Sequence, residues 1–455
     1  MSAATSASAD QTMSTRLDSP AVLASARALL RDGRREEAED LLKTALLADS
    51  SLTDVRRELA VLLVASGRRD EALPLWCAEL RSGQSGLSWM QDLLQAALER
   101  PDLTLAGDFA VLTAQARWGD SSISAERAEI PLSVPKLWHD IEQFRYLRRL
   151  GLLGRDYETL IEAYQTVHDR LARRGPDARE PLDPHGDPGF ADAYNRLHHV
   201  RHVPRVARAL SECWDPSAVE EQYLTNPPGV VYVDNFLADE ALEGLYHFCL
   251  ESTIWSGNRY AHGRLGAFLQ DGFSCPLLMQ IAEELRAALP RLIGVRYPLR
   301  QMWGFKCGPE LPADATTHAD FAAVNVNFWI TPDHANLHGT SGGLVVHDID
   351  APLSWDFDTY NGRADLIRPF LQQRQARRMV IPYRQNRAVI FNSDLFHASD
   401  MVHFRPGYEN LRVNVTMLYG DREEETHHRQ LSGPETAPLR PPWRSAVFDR
   451  TRLRG

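Results

Sequence analysis

The chain has 455 residues, 44% hydrophobic and 24% charged, which suits two or three domains with real cores. Its 61 acidic residues outweigh 50 basic ones, and the net charge of −11 excludes a nucleic-acid binder held by phosphate contacts and a polybasic membrane anchor. No apolar run is long enough to span a membrane, the N-terminus lacks the pattern of a secretory signal, and the five cysteines are scattered. These features predict a cytoplasmic protein with reduced thiols. Arg outnumbers Lys 47 to 3, the bias of GC-rich, bacterial coding.

Residues 1–19 are Ser, Ala and Thr with few large apolar side chains and are expected to be a disordered leader. Residues 20–120 read as helical and repetitive. Ala26 and Ala60, Gly33 and Gly67, Ala38 and Ala72, Leu41 and Leu75, and Leu46 and Leu80 are each 34 apart. The small residues let paired helices approach closely, and the glycines turn the chain between them. This period resembles the tetratricopeptide repeat. Ala106 continues it, but Pro101 replaces the glycine, so a third repeat is degenerate. Residues 121–222 are expected to be a helical linker or support, with helices over 135–153 and 156–174, a Pro/Gly-rich loop over 175–190, and a further helix around 190–211.

From Asn226-Pro-Pro-Gly229 the pattern changes. A strand is predicted over 229–237, then helices over 238–252 and 277–290. Beyond 295 come six short strands: LRQMWGFKC, AAVNVNFWIT, GGLVVHD, RMVIPYR, RAVIFN and LRVNVTMLYG. The fold class is therefore α+β: helical repeats, then an antiparallel barrel or jelly roll over 223–420, with 421–455 as a surface tail.

His318-Ala-Asp320 precedes the strand 322–331. Residues two apart on an extended segment point the same way, so an imidazole and a carboxylate can approach one ion together. His397 follows the strand 387–392 and offers a third ligand, and Arg412 opens the last strand. Two His and one carboxylate with open positions are the donor set of non-haem Fe(II) oxygenases. An Arg can hold a carboxylate bidentately.

In this order and strand context the sequence resembles the Fe(II)/2-oxoglutarate-dependent dioxygenases, in particular the prolyl-hydroxylase-like branch, over roughly 225–420. The resemblance implies a double-stranded β-helix, Fe(II) held by His318, Asp320 and His397, and Arg412 on the distal carboxylate of 2-oxoglutarate. Thr416 lies four positions beyond Arg412, where a hydroxyl residue is common in the family. It implies O2 as second co-substrate and ascorbate as a stimulant. The expected reaction hydroxylates a C–H bond of a peptide, protein or amino-acid-like substrate and releases succinate and CO2. A small natural-product intermediate, hydroxylated, desaturated or cyclised, is an alternative substrate, and a non-catalytic repeat scaffold with a vestigial barrel is an alternative function. The repeats would serve a protein partner or a homodimer.

Along the strand after His-x-Asp, Asn325, Asn327 and Trp329 alternate with apolar residues, which predicts a polar face lining a cavity. Trp329 stands where prolyl hydroxylases place a Tyr against the co-substrate, so Asn327, Gln301 or Arg300 are expected to compensate. A second His-x-Asp, His185-Gly-Asp187, lies in the Pro/Gly loop and reads as a turn. His403 competes with His397 as third ligand, but it falls in a predicted inserted hairpin. His334, His338 and His347 read as surface or substrate-side groups. The acidic stretches 347–350 and 354–360 read as solvated loops near the barrel mouth. No phosphate-binding loop, dinucleotide fingerprint or nucleophile elbow appears in a suitable context.

Overall fold

The computed structural model describes residues 18–82, 87–119, 129–183, 188–313 and 317–422. Most of the expected leader and tail, and His185-Gly-Asp187, lie outside those residues. Two compact units divide the chain between Ala96 and Ala97. Among the described residues no helix is long and apolar enough to cross a membrane.

The first unit is helical. Helices α1 (Ser19–Arg31) and α2 (Arg35–Ala48) are followed, 34 positions on, by α3 (Thr53–Ala65) and α4 (Arg69–Ser82). Gly33 and Gly67 take left-handed φ values of 76° and 73° at the two turns. At each turn the glycine N–H bonds three residues back and the next N–H bonds five back, closing the helix with a Schellman motif. Ala26, Ala38, Ala60 and Ala72 are all fully buried, as close helix pairing demands. Glu79 on α4 is buried too, and Arg56 and Arg57 of α3 neutralise it. Helix α5 (Leu87–Leu98) spans the division between the units.

The second unit begins with α6 (Thr104–Trp118), which packs against a turn at 269–271 and a later helix of the same unit. Helix α7 (Val134–Arg149) starts at Ser133, whose Oγ caps the Lys136 N–H, with Pro135 in the first turn. One face of α7 packs through Leu137, Ile141 and Phe144 onto α8 (Tyr157–Ala172). Its other face packs through Tyr146 and Leu147 against Tyr408 and Leu411 of the β region. The helix expected around 190–211 shrinks to α9 (Pro188–Ala193). Pro204 opposes a helix there, and side chains take the backbone donors: Thr253 Oγ1 those of His198 and His199, Ser252 Oγ that of Arg201.

Helices α10 (Pro216–Thr225), α11 (Asp239–Glu251) and α12 (Pro276–Ala288) flank nine strands. In chain order these are β1 (Val230–Val233), β2 (Leu265–Phe268), β3 (Leu299–Cys307), β4 (Val324–Trp329), β5 (Leu344–Asp350), β6 (Arg378–Ile381), β7 (Ala388–Asn392), β8 (Leu395–Ser399) and β9 (Arg412–Tyr419). A six-stranded sheet runs β1-β7-β4-β9-β3-β2 and a three-stranded sheet β8-β5-β6, antiparallel throughout. The two sheets share one apolar layer: Trp329, Val389 and Phe391 from the large sheet meet Leu344, Val346, Ile381 and Leu395 from the small one. Between β5 and β6, α13 (Phe357–Gly362) and α14 (Ala364–Gln373) replace the loop expected at 354–360. Asp356 caps α13 by accepting from the Thr359 N–H, a start signal masked by the acidic run.

Candidate metal centre

The register of β4 explains the interior. Asn327 pairs across to Thr416 and Val389, Asn325 to Leu418 and Phe391, and Trp329 to Asn414. Alternation therefore aligns Asn325, Asn327 and Trp329 with Arg412, Asn414 and Thr416 on one pleat face. All six are buried.

His318 and His397 form an antiparallel bridge in which each backbone N–H bonds the other's carbonyl, at 3.0 and 2.8 Å. The Asp320 N–H donates to Ser393 O just before β8. Backbone pairing thus carries the three residues to one point. His318 Nε2 lies 3.7 Å from Asp320 Oδ1, and His397 Nε2 lies 3.4 Å from Asp320 Oδ2. One ligand atom from each lies within 4.8 Å of the others, the only such group of three found among the described residues. The His318 side chain is 25% exposed while those of Asp320 and His397 are 5%, so the group opens on the His318 side.

Supporting contacts orient the donors. His397 Nδ1 is 3.0 Å from Leu395 O, which places a proton there and turns Nε2 toward Asp320. Asn325 Nδ2 donates to Asp320 Oδ2 at 2.8 Å. Burial alone would raise the Asp320 pKa. The His397 hydrogen bond, both imidazoles and Asn325 outweigh it and hold the carboxyl below its usual value.

Beyond this group lies Arg412, 1% exposed. Nε donates to Gly342 O at 2.6 Å, Nη2 to Gly343 O at 3.1 Å and Nη1 to Asn414 Oδ1 at 3.1 Å. Its guanidinium carbon stands 5.7 Å from the Trp329 ring centre. No carboxylate lies within ion-pair distance of it among the described residues, so this buried cation has dipoles but no counter-charge. The close approach depends on glycine: a Cβ on Gly343 would sit 1.9 Å from Ile381 O, and Gly342 has φ +82°.

Asn327 Nδ2 donates to Thr416 Oγ1 at 3.0 Å. Asn325 Oδ1, Asn327 Oδ1 and Trp329 Nε1 are buried without a protein partner. Such atoms cost about 1–3 kcal/mol each when unsatisfied, so this face fits a polar ligand. The donor chemistry and this face are both compatible with Fe(II) and a dicarboxylate beside it.

Other expected residues lie elsewhere. His403 pairs through Val402–His403 with Glu310–Leu311 and turns its 45%-exposed ring toward Glu310, away from the metal group; the segment pairs with a distant strand rather than with itself. Gln301 is buried, but it bonds Gln270 and its own strand. Arg300 pairs with Glu99 and Asp421 and so is committed to a different face. Asn414 and the Gly342 and Gly343 carbonyls escaped sequence reasoning as site groups. The alternation along β4 carried a signal for Asn325; the carbonyls had none.

No sequence profile of a known protein family matches the chain, and no curated protein matches it by sequence. Solved structures do resemble it distantly. The non-heme alpha ketoglutarate dependent carbocyclase SnoK from nogalamycin biosynthesis is similar at 12% identity and a TM-score of 0.32, over 48% of this chain and 87% of that one. The epimerase SnoN, in complex with Fe3+, alpha ketoglutarate and nogalamycin RO, is similar at 14% identity and 0.31, over 50% and 95%. EctD from S. alaskensis, with 2-oxoglutarate and 5-hydroxyectoine, is similar at 11% identity and 0.31, over 49% and 84%.

Proposed function

We propose that this chain is a non-haem Fe(II)- and 2-oxoglutarate-dependent oxygenase that hydroxylates an unactivated C–H bond of a peptide, protein or amino-acid-like substrate. The observation that carries the reading is the convergence of His318, Asp320 and His397 from two strand-paired segments into one buried group with an open side. His318 and His397 would bind through imidazole nitrogen and Asp320 through a carboxylate oxygen. Arg412 would hold the distal carboxylate of 2-oxoglutarate, supplying the counter-charge relation that its carbonyl partners cannot. Trp329 Nε1 and Thr416, on the same pleat face, would add polar contacts. Iron and the oxo acid, when bound there, would supply oxidative decarboxylation with O2, giving succinate and CO2, with the second oxygen atom going to substrate.

The chain's own residues prepare that chemistry. Leu395 O and Asn325 fix the orientations of His397 and Asp320. Trp329, Val389 and Phe391 exclude water from the inner wall. The helical repeats over 20–120, read as tetratricopeptide-like, would present a concave surface to a peptide. The scattered, odd-numbered cysteines are read as reduced thiols of a cytoplasmic protein. The test is succinate formation from 2-oxoglutarate, dependent on Fe(II) and O2 and lost in Asp320→Ala. Absence of turnover in the iron-loaded wild type with peptide and amino-acid pools would overturn the proposed reaction.

A further inference from the structure

A second cavity of about 1160 Å³ opens between α7 and the rim of the large sheet, and none of the three metal-group residues lines it. Trp138, His139, Leu265, Lys306, Cys307 and Leu411 are among its walls. Two of these wall residues, His139 and Lys306, belong to a buried polar chain that the proposed oxygenase reaction does not use. Asp140 Oδ1 lies 3.0 Å from His139 Nδ1, and His139 Nε2 lies 3.2 Å from Lys306 Nζ. Lys306 Nζ donates to Tyr408 Oη at 2.8 Å, and the Tyr408 hydroxyl in turn donates to Leu250 O. Lys136 pairs with the other oxygen of Asp140.

We propose that Lys306 is a carbonyl-capturing amine, and that this cavity takes an aldehyde or ketone of largely apolar body whose carbonyl carbon bonds to Lys306 Nζ as an imine.

Hydrogen-bond accounting supports a neutral amine here. With its Nδ1 proton on Asp140, His139 offers Nε2 as an acceptor. Tyr408 Oη, its own proton committed to Leu250, offers a second. A neutral amine has two N–H donors and one lone pair, so both protons are placed and the lone pair is unassigned. An ammonium would carry a third proton with no oxygen or nitrogen acceptor among these groups. No carboxylate lies within ion-pair distance of Lys306 among the described residues, and it is 1% exposed. Burial pushes its pKa well below the usual ammonium range; nearby Cys249 and Asp140 oppose the shift and Lys136 adds to it. The faces of Trp255 and Tyr408, 4.5 and 4.4 Å away, favour the cation, but they do not repay full desolvation. An amine oriented by an imidazole that a carboxylate orients in turn is the arrangement of an activated nucleophile.

Composition points to the same residues. The chain has only three lysines against 47 arginines, and two of the three, Lys136 and Lys306, sit in this one buried cluster. Arginine stays protonated and cannot serve as a nucleophilic amine.

The step balances without an oxidant or reductant. The Nζ lone pair forms the N–C bond, the carbonyl oxygen takes both amine protons, one relayed through His139, and leaves as water. The imine is neutral and reversible by the same water.

The test is reductive trapping on the full chain. Benzaldehyde with sodium cyanoborohydride is applied to native protein at neutral pH, and peptide mass spectrometry reads benzylation at Lys43, Lys136 and Lys306. Lys43 is a built-in reference: its partners Glu39 and Glu71 keep it protonated. The expected result is labelling of Lys306 at least about tenfold faster than Lys43, since only the neutral amine reacts. His139→Gln should slow labelling at Lys306 and leave Lys43 unchanged. Labelling of Lys43 with Lys306 modified only after unfolding in urea would overturn the proposal and leave the cluster a structural strut.

Discussion

Asn325 Nδ2 donates to Asp320 Oδ2 at 2.8 Å, so a side chain on β4 sets the orientation of a carboxylate that precedes the strand by a loop. The same oxygen is the one nearest His397 Nε2. Asn325→Ala should therefore weaken Fe(II) binding about 10- to 100-fold, the usual loss when a partner of a metal ligand is removed. Fe(II) titration under argon measures this. An unchanged dissociation constant would mean that Asp320 is held without Asn325 or is not a ligand.

His397→Ala should abolish Fe(II) binding, whereas His403→Ala should leave it intact. The His403 ring is 45% exposed beside Glu310, on a strand pair outside the metal group. Metal content after anaerobic loading separates the two. The reverse order would place the third ligand outside the sheet pairing described above.

Arg412 serves two roles that a single substitution would mix. It ties the Gly342 and Gly343 carbonyls to β9, and it carries the buried positive charge. Arg412→Lys keeps the charge but loses the fork, so it should weaken 2-oxoglutarate binding and lower the melting temperature together. Thr416→Val removes only the acceptor of the Asn327 bond and should have a smaller effect on both, about 1 kcal/mol in stability. Equal 2-oxoglutarate affinity in wild type and Arg412→Lys would remove Arg412 from co-substrate binding.

Gly343→Ala tests the packing at the same point. A methyl 1.9 Å from Ile381 O and 2.7 Å from Tyr383 N must push two strands apart. The expected loss is at the upper end of the roughly 1–3 kcal/mol seen for overpacking, read by denaturant unfolding. Wild-type stability would show that β5 and β6 can separate freely.

His139 gives a pH dependence with a definite sign. Burial is the chief cause that lowers its pKa from 6.5 to about 3, so the folded protein keeps it neutral. The unfolded chain takes up a proton there first. The stability that His139 contributes is present above about 6.5 and is lost as pH falls through the window down to about 3. His139→Gln should flatten the acid-unfolding profile by up to about 1.4 kcal/mol per pH unit in that window. A profile of unchanged slope would contradict a buried, neutral His139.

Much of this was legible in sequence where a periodic pattern met a physical necessity. The strand Leu299–Cys307 was read with its observed ends, and β4 was recognised from its alternation. Helix starts 34 apart followed from alanine and glycine spacing. Long-range pairing was not legible. His397 lies on its own strand because its backbone pairs with His318 and Val346, partners fixed by topology. A helix is expected around 190–211, yet Thr253 and Ser252 claim N–H groups of that segment. The Asp140–His139–Lys306 chain joins a helix to a strand more than 150 positions later, which no local pattern encodes.

The central claim is that His318, Asp320 and His397 hold iron with 2-oxoglutarate beside Arg412. Its most direct measurement is an anaerobic titration of the full chain with Fe(II) and then 2-oxoglutarate, followed by visible absorbance. The account predicts a weak charge-transfer band that saturates at one equivalent of each and disappears in His318→Ala. A metal-loaded wild type that shows no band with 2-oxoglutarate, or an undiminished band in His318→Ala, would contradict it.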